Sequence, residues 1–269
     1  MIQSADVERR RDNRSMKNVV WAGCAAGLML VVTGCSPIYY APSVHNVPML
    51  QGKGDGTFAV HVASDGGAVQ GAYAVAEHVG VMVNVNSFKQ KDNNDNDGGS
   101  GSLFEVGVGY HRNLGGTVVW ENYLLLGGGS VEDHFSPSTG PSKTGTGTLD
   151  AKFTRWGVQP SLSLHSRVVD TAVSLRLMGL KYSDASGNLI YNGQDQVAYL
   201  NGLGSQFLVE PAITLKGGWD PIKLQLQLGW SKNITSQDFN SFHMRGGFAS
   251  LGLVYDLRRD HSSGGIKTK

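Results

Sequence analysis

Cysteine is scarce in this chain: two in 269 residues, Cys24 and Cys35. Cys24 lies in an apolar run, Val19 to Val32, that follows Arg9, Arg10, Arg11, Arg14 and Lys17. A basic stretch before an apolar core too short for an ordinary spanning helix has the form of a removable leader. With the leader gone, Cys35 is the one remaining thiol, which excludes a disulfide within the chain and a cysteine metal site. Proline is rare, at 8 residues, and no apolar stripe of helical period runs through the sequence. Charge of one sign is missing too. The 23 Lys and Arg stand against 22 Asp and Glu. Without residues 1–34 the balance is 18 against 19. A near-neutral domain has no field to gather nucleic acid. The 8 histidines form no His-x-His or His-x-x-x-His pair, and no Gly-x-Ser-x-Gly elbow occurs, so neither zinc chemistry nor serine catalysis has a motif. No cofactor and no enzymatic activity is expected.

The apolar run ends in Val32-Thr33-Gly34-Cys35. This resembles the lipobox of bacterial lipoproteins: aliphatic, small, small, then Cys. The resemblance implies cleavage before Cys35, acylation of its sulfur and new amino group, and a membrane lipid as the anchoring partner. Ser36 follows where the enterobacterial sorting system reads Asp as a retention signal, so an outer-membrane destination is implied. Met16-Lys17-Asn18 offers a second, more conventional start than Met1.

Glycine is abundant, at 37 residues, and from about Gly56 the dominant signal is alternation of period two. In Ile222–Trp230 the residues Ile222, Leu224, Leu226, Leu228 and Trp230 share one face, and Lys223, Gln225 and Gln227 the other. The pattern predicts strands over 57–65, 69–77, 79–88, 101–111, 116–129, 148–164, 169–183, 205–217, 221–230 and 245–257. An apparent change of phase near Arg155 and Trp156 predicts a bulge in the sixth. From the third strand onward the connections alternate, long then short. Transmembrane barrels show this asymmetry. The first hairpin, around Asp65-Gly66-Gly67, is short where the alternation asks for a long loop. The fold class expected is therefore all-β, an antiparallel up-and-down barrel of about ten strands. It spans residues 56–258, after a leader (1–34) and a lipidated, extended tether (35–55) with Pro37, Pro42 and Pro48. Residues 259–269 read as a polar tail. Both ends of the domain fall on the short-turn side, which would put the lipid there as well.

One strand face is apolar; the other mixes small residues with Glu105, Glu121, Arg176, Glu210 and Lys223. In a membrane barrel these charges line the interior and pair. In a tethered soluble β domain the apolar face would be the core, around a small apolar or protein ligand. Strands of nine to eleven residues suit a tilted bilayer crossing, and Tyr110, Trp156, Tyr182, Trp219 and Trp230 near strand ends suit interfacial girdles. Both observations favour the membrane.

Cys35–Pro42, Asn46–Leu50, Ala72–His78 and Phe104–Tyr110 resemble recurring pieces of uncharacterised bacterial outer-membrane β-barrel-like lipoproteins. The resemblance implies the architecture and no activity. The expected role is envelope structure, surface recognition or limited solute passage; a barrel enzyme acting on membrane lipid is a further alternative. Asp92–Asp97 approximates a calcium loop through Asn93, Asp95, Asp97 and Gly98, but Phe104 stands where a bidentate Glu is required. His78, His111 and His165 fall near short turns on one side of the barrel.

Overall fold

The computed structural model describes residues 36–91, 97–137, 145–166, 168–235 and 242–257. Val32, Thr33, Gly34, Cys35, the leader, the tail, and Asn93 and Asp95 of the calcium-like loop lie outside them. The strands are β1 (Gly56–Ala63), β2 (Gly66–Ala76), β3 (Val79–Lys91), β4 (Gly98–Gly115), β5 (Val118–Phe135), β6 (Gly145–Leu164), β7 (Val169–Gly187), β8 (Ile190–Tyr191) and β9 (Gln194–Asp195). A helix, α1 (Gln196–Gly202), follows, then β10 (Gln206–Trp219), β11 (Ile222–Trp230), β12 (Lys232–Asn233) and β13 (Gly247–Leu257).

Strands β1 to β7, β10, β11 and β13 pair antiparallel in that order. The last pairs with the first, from Gly56 with Leu257 to Ala63 with Ser250. The sheet thus closes into the ten-stranded up-and-down barrel that the alternation predicts, which leaves no edge among these strands.

Alternation then sorts the side chains. Phe58, Val69, Val83, Val106, Leu124, Leu162, Val173, Ile213, Leu224 and Leu253, one from each barrel strand in turn, all point outward and are exposed. Glu105, Glu121, Arg155, Arg176 and Glu210 point inward and are fully buried. Apolar outside and charged inside is the distribution a lipid-embedded barrel needs and the reverse of a soluble β domain. The wall is also lopsided. Strands β4 to β7 run 18, 18, 20 and 19 residues, against 8, 11, 9 and 11 for β1, β2, β11 and β13. β7 runs past β10 toward the long loops, beyond the Leu180–Gln206 pair, whereas β4 runs past β3 at the short-turn end, beyond the Val79–Tyr110 pair. Near the long loops the exposed residues turn polar: Glu132, His134, Thr148, Asp150, Lys152 and Lys181. Long β-structure therefore rises beyond the apolar belt on one side.

Three sequence expectations are corrected. In β6, inward and outward residues alternate through Arg155 (in) and Trp156 (out) without a break, and the irregularity in its pairing with β7 falls between Asp150 and Lys152. The hydrophobic pattern changes phase there, but the backbone does not: Leu149, Ala151 and Phe153 face inward because the lumen is apolar at that height. The connection after β7, expected only as a long loop, has structure of its own. It carries the β8–β9 hairpin and α1, whose N-cap Asp195 accepts from the N–H groups of Val197 and Ala198, and it buries Leu189 and Leu200.

The third correction concerns residues 36–55. They are extended, as expected, but they do not lead away from the barrel. They pass through it. Gly56 starts β1 at the short-turn end, whereas Ile38 to Tyr40 lie at the long-loop end beside Asp133, His243 and Arg245. The path of the chain before β1 therefore opposes the expectation that the N-terminal residues sit on the short-turn side.

Candidate functional site: the lumen and the segment that fills it

A segment broken by Pro37, Pro42 and Pro48 cannot join a sheet as a regular strand, because proline has no N–H to give the ladder. Inside a barrel it also has little access to water. Its backbone groups must find partners among inward side chains, and the wall supplies them at each level.

At the long-loop mouth the Ile38 N–H donates to both carboxylate oxygens of Asp133, at 3.1 and 3.3 Å. The Tyr39 N–H donates to the His243 carbonyl (2.9 Å) and the Arg245 N–H to the Tyr40 carbonyl (2.9 Å). The Tyr39 hydroxyl donates to Gln196 of α1 (2.6 Å), and Tyr182 donates to the Tyr39 carbonyl (2.6 Å). The ring of Tyr39 packs against Tyr199, Phe242 and His243. Burial pushes the pKa of His243 down, so its ring stays neutral in this apolar setting.

Below this lies the charged layer. Arg155 Nε is 3.0 Å from Glu105 and its Nη2 is 3.7 Å from Glu210. Arg155 Nη1 donates to the Tyr40 hydroxyl (2.7 Å), which donates to Glu210 (2.7 Å). Arg176 Nη2 stands 3.6 Å from Glu105, its Nε donates to Gln159 (2.6 Å), and its Nη1 donates to the Ser43 hydroxyl (2.8 Å). Two arginines and two glutamates thus balance, and each cation also binds residues 40–43. Buried charges are tolerable only when paired and hydrogen-bonded in this way.

Further along, side-chain amides act as surrogate backbone. The His45 N–H donates to Gln227 Oε1 (2.7 Å), and Gln227 Nε2 donates to the His45 carbonyl (3.0 Å). Gln70 donates to the Val44 carbonyl (2.8 Å), Gln159 to that of Asn46 (2.6 Å) and Lys216 to that of Val47 (2.8 Å). Asn46 donates to Asn84 (2.9 Å). Glu121 accepts both the Met49 and Leu50 N–H groups, at 3.0 and 3.1 Å. Glycine makes room here: a Cβ on Gly80 would lie 2.6 Å from the Tyr123 hydroxyl and 3.0 Å from Leu50. At the short-turn end Gln51 and Gly52 donate to Asp55, whose carbonyl accepts from the Ala74 N–H as the chain turns into β1.

All five inward candidates read from the sequence are in the lumen, but they divide. Glu105, Arg176 and Glu210 meet in the charged layer, and Glu121 holds the segment nearer β1. Lys223 lies apart at the short-turn rim, 2.8 Å from Asp170 and 3.3 Å from Asp256. Arg155, Gln159 and Gln227 were not singled out, and the signal for Gln227 was visible in the alternation of β11. Of the three rim histidines, His78 and His111 are neighbours with ring centroids 6.4 Å apart, while His165 pairs instead with Asp170 (3.3 Å). Among the described residues no group of His, Cys, Asp and Glu could hold a metal ion.

No family model and no curated protein matches this chain. Solved structures with related backbones include the translocator domain of the autotransporter NalP from Neisseria meningitidis. It is 11% identical at a TM-score of 0.45, covering 96% of this chain and all of that one. LpxR from Salmonella typhimurium (6%, TM-score 0.36) and the KdgM porin (8%, TM-score 0.34) cover 75% and 76% of this chain, and each is covered over 99% of its own length. Similarity this low says nothing of what this chain does; the barrel is established by its own strand pairing.

Proposed function

We propose that this chain is an outer-membrane lipoprotein, acylated at Cys35, with a lipid-inserted barrel closed by its own N-terminal segment. Its role is non-enzymatic, in envelope structure or surface recognition through the long loops and the raised wall of β4 to β7. The observation that supports insertion is the reversed distribution of polarity: an outward belt of Val, Leu, Ile and Phe from each of the ten barrel strands would face water in any soluble form. A contiguous apolar surface of that extent calls for lipid or a partner. Residues 38–50 occupy the lumen, which argues against solute passage as the main task. Glu121, Arg155, Arg176, Glu210 and Lys216 are engaged in holding that segment.

The test is electrophoresis of the full protein from membranes, unheated and boiled, with proteinase digestion of vesicles alongside. A folded inserted barrel migrates differently unheated, and its strands survive digestion. Identical migration together with complete digestion would refute insertion.

A further inference from the structure

We infer that the described chain begins, at Ser36, at the long-loop mouth, so that a lipid on the adjacent Cys35 belongs to the same face of the membrane as the long loops. This rests on the lipidation and insertion proposed above but makes a separate claim about topology. Three observations carry it. First, β1 begins at the short-turn end, since Gly56 pairs with both Leu257 and Tyr73. Second, contacts move steadily along the barrel as residue numbers fall. Leu50 meets Glu121, His45 meets Ser174 and Gln227, Tyr40 meets Glu210 and Arg155, and Ile38 meets Asp133. Third, the segment is fixed at the far end by elements of that mouth: Gln196 of α1 and the residues 243–245 that precede β13.

An extended chain advances about 3.3–3.6 Å per residue, so the residues from Ser36 to Asp55 suffice to cross an apolar belt about 25 Å tall. The acylated residue precedes Ser36 directly. No slack remains in which it could return through a lumen filled with paired charges and buried side chains. A lipoprotein whose soluble domain hangs below the anchor would place lipid and short turns together; here the two are on opposite faces. The acyl group then belongs to the leaflet on the loop side, and the anchor and the recognition loops share one surface.

Single-cysteine accessibility tests this in intact cells with a membrane-impermeant maleimide. Lipidated Cys35 carries no free thiol, so wild type serves as the blank. Ser36→Cys reports the N-terminal end, Gly202→Cys the long-loop end and Leu114→Cys the short-turn end. Labelling of Ser36→Cys and Gly202→Cys in intact cells, with Leu114→Cys labelled only after permeabilisation, is the expected result. Labelling of Ser36→Cys only together with Leu114→Cys would overturn the threaded topology and leave insertion intact. Labelling of all three alike in intact or only in permeabilised cells would overturn insertion and this inference with it. Labelling of wild type itself would show Cys35 unacylated and overturn the inference, since no lipid would then stand on the loop face.

Discussion

At the scale of single residues, Arg155 and Glu121 show what the lumen demands. Arg155 lies between Glu105, Glu210 and the Tyr40 hydroxyl with no exposure. Arg155→Ala leaves two buried carboxylates without their shared cation. We expect a loss of about 3–5 kcal/mol, measured as unfolding of the detergent-folded protein in denaturant. Glu121→Ala leaves the Met49 and Leu50 N–H groups buried and unpaired, at about 1–3 kcal/mol each. His243 adds a pH dependence at the mouth. Its folded pKa is depressed by burial, so its contribution is complete above the unfolded value of about 6.5. It is lost as pH falls from there through the folded value, because the unfolded chain takes up the proton first. His243→Phe should flatten that part of the pH–stability curve. The facing of Glu105, Glu121, Arg176, Glu210 and Lys223 was legible because a strand of known phase fixes each side chain's face. Arg155 was hidden because the apolar residues before it in β6 share its face, which the pattern read as a change of phase.

At the scale of elements, the ten barrel strands were legible in number and phase, since period two is a local property, but not in length: β4 and β5, expected to end at residues 111 and 129, run on to Gly115 and Phe135. The segment from Ser36 to Asp55 was legible only as extended chain. Its apolar content (Ile38, Tyr39, Tyr40, Val44, Val47, Met49, Leu50) is high for a solvated tether, and this was the available sign that it is buried. Many of its partners lie far off in sequence, 170 positions from Tyr40 to Glu210 and 182 from His45 to Gln227, and no local pattern records them. Removing residues 37–48 should open the lumen. We expect the full protein to be silent in planar bilayers and the deletion variant to conduct small ions, with heat-modifiable migration showing that the barrel still forms. Equal conductance of the two would mean that the segment does not close the lumen. The helix α1 was missed for another reason: seven residues are too few to show an apolar stripe of helical period, and its place is set by Leu200 packing into the mouth.

At the scale of the whole molecule, the belt and the raised wall make opposite predictions for neighbouring surfaces. Leu124→Arg places a cation on the outward belt and should cost about 2–4 kcal/mol if it lies near the bilayer midplane. Asp150→Arg, on the polar extension of β6, should change stability little. Folding into vesicles at graded denaturant measures both; equal effects would deny that the belt meets lipid. Closure by β1 and β13 joins residues nearly two hundred positions apart, yet it follows from strand number and alternation, so the sequence by itself determined the class of fold and which side chains share a face. Which end of the barrel its N-terminal segment reaches was decided by the tertiary structure alone. Sequence order places residue 55 beside β1, but only the partners of residues 38–50, gathered from distant strands, dictate whether the chain leaves the barrel or runs back through it. Burial of those apolar side chains and satisfaction of their backbone groups favour the path through the lumen.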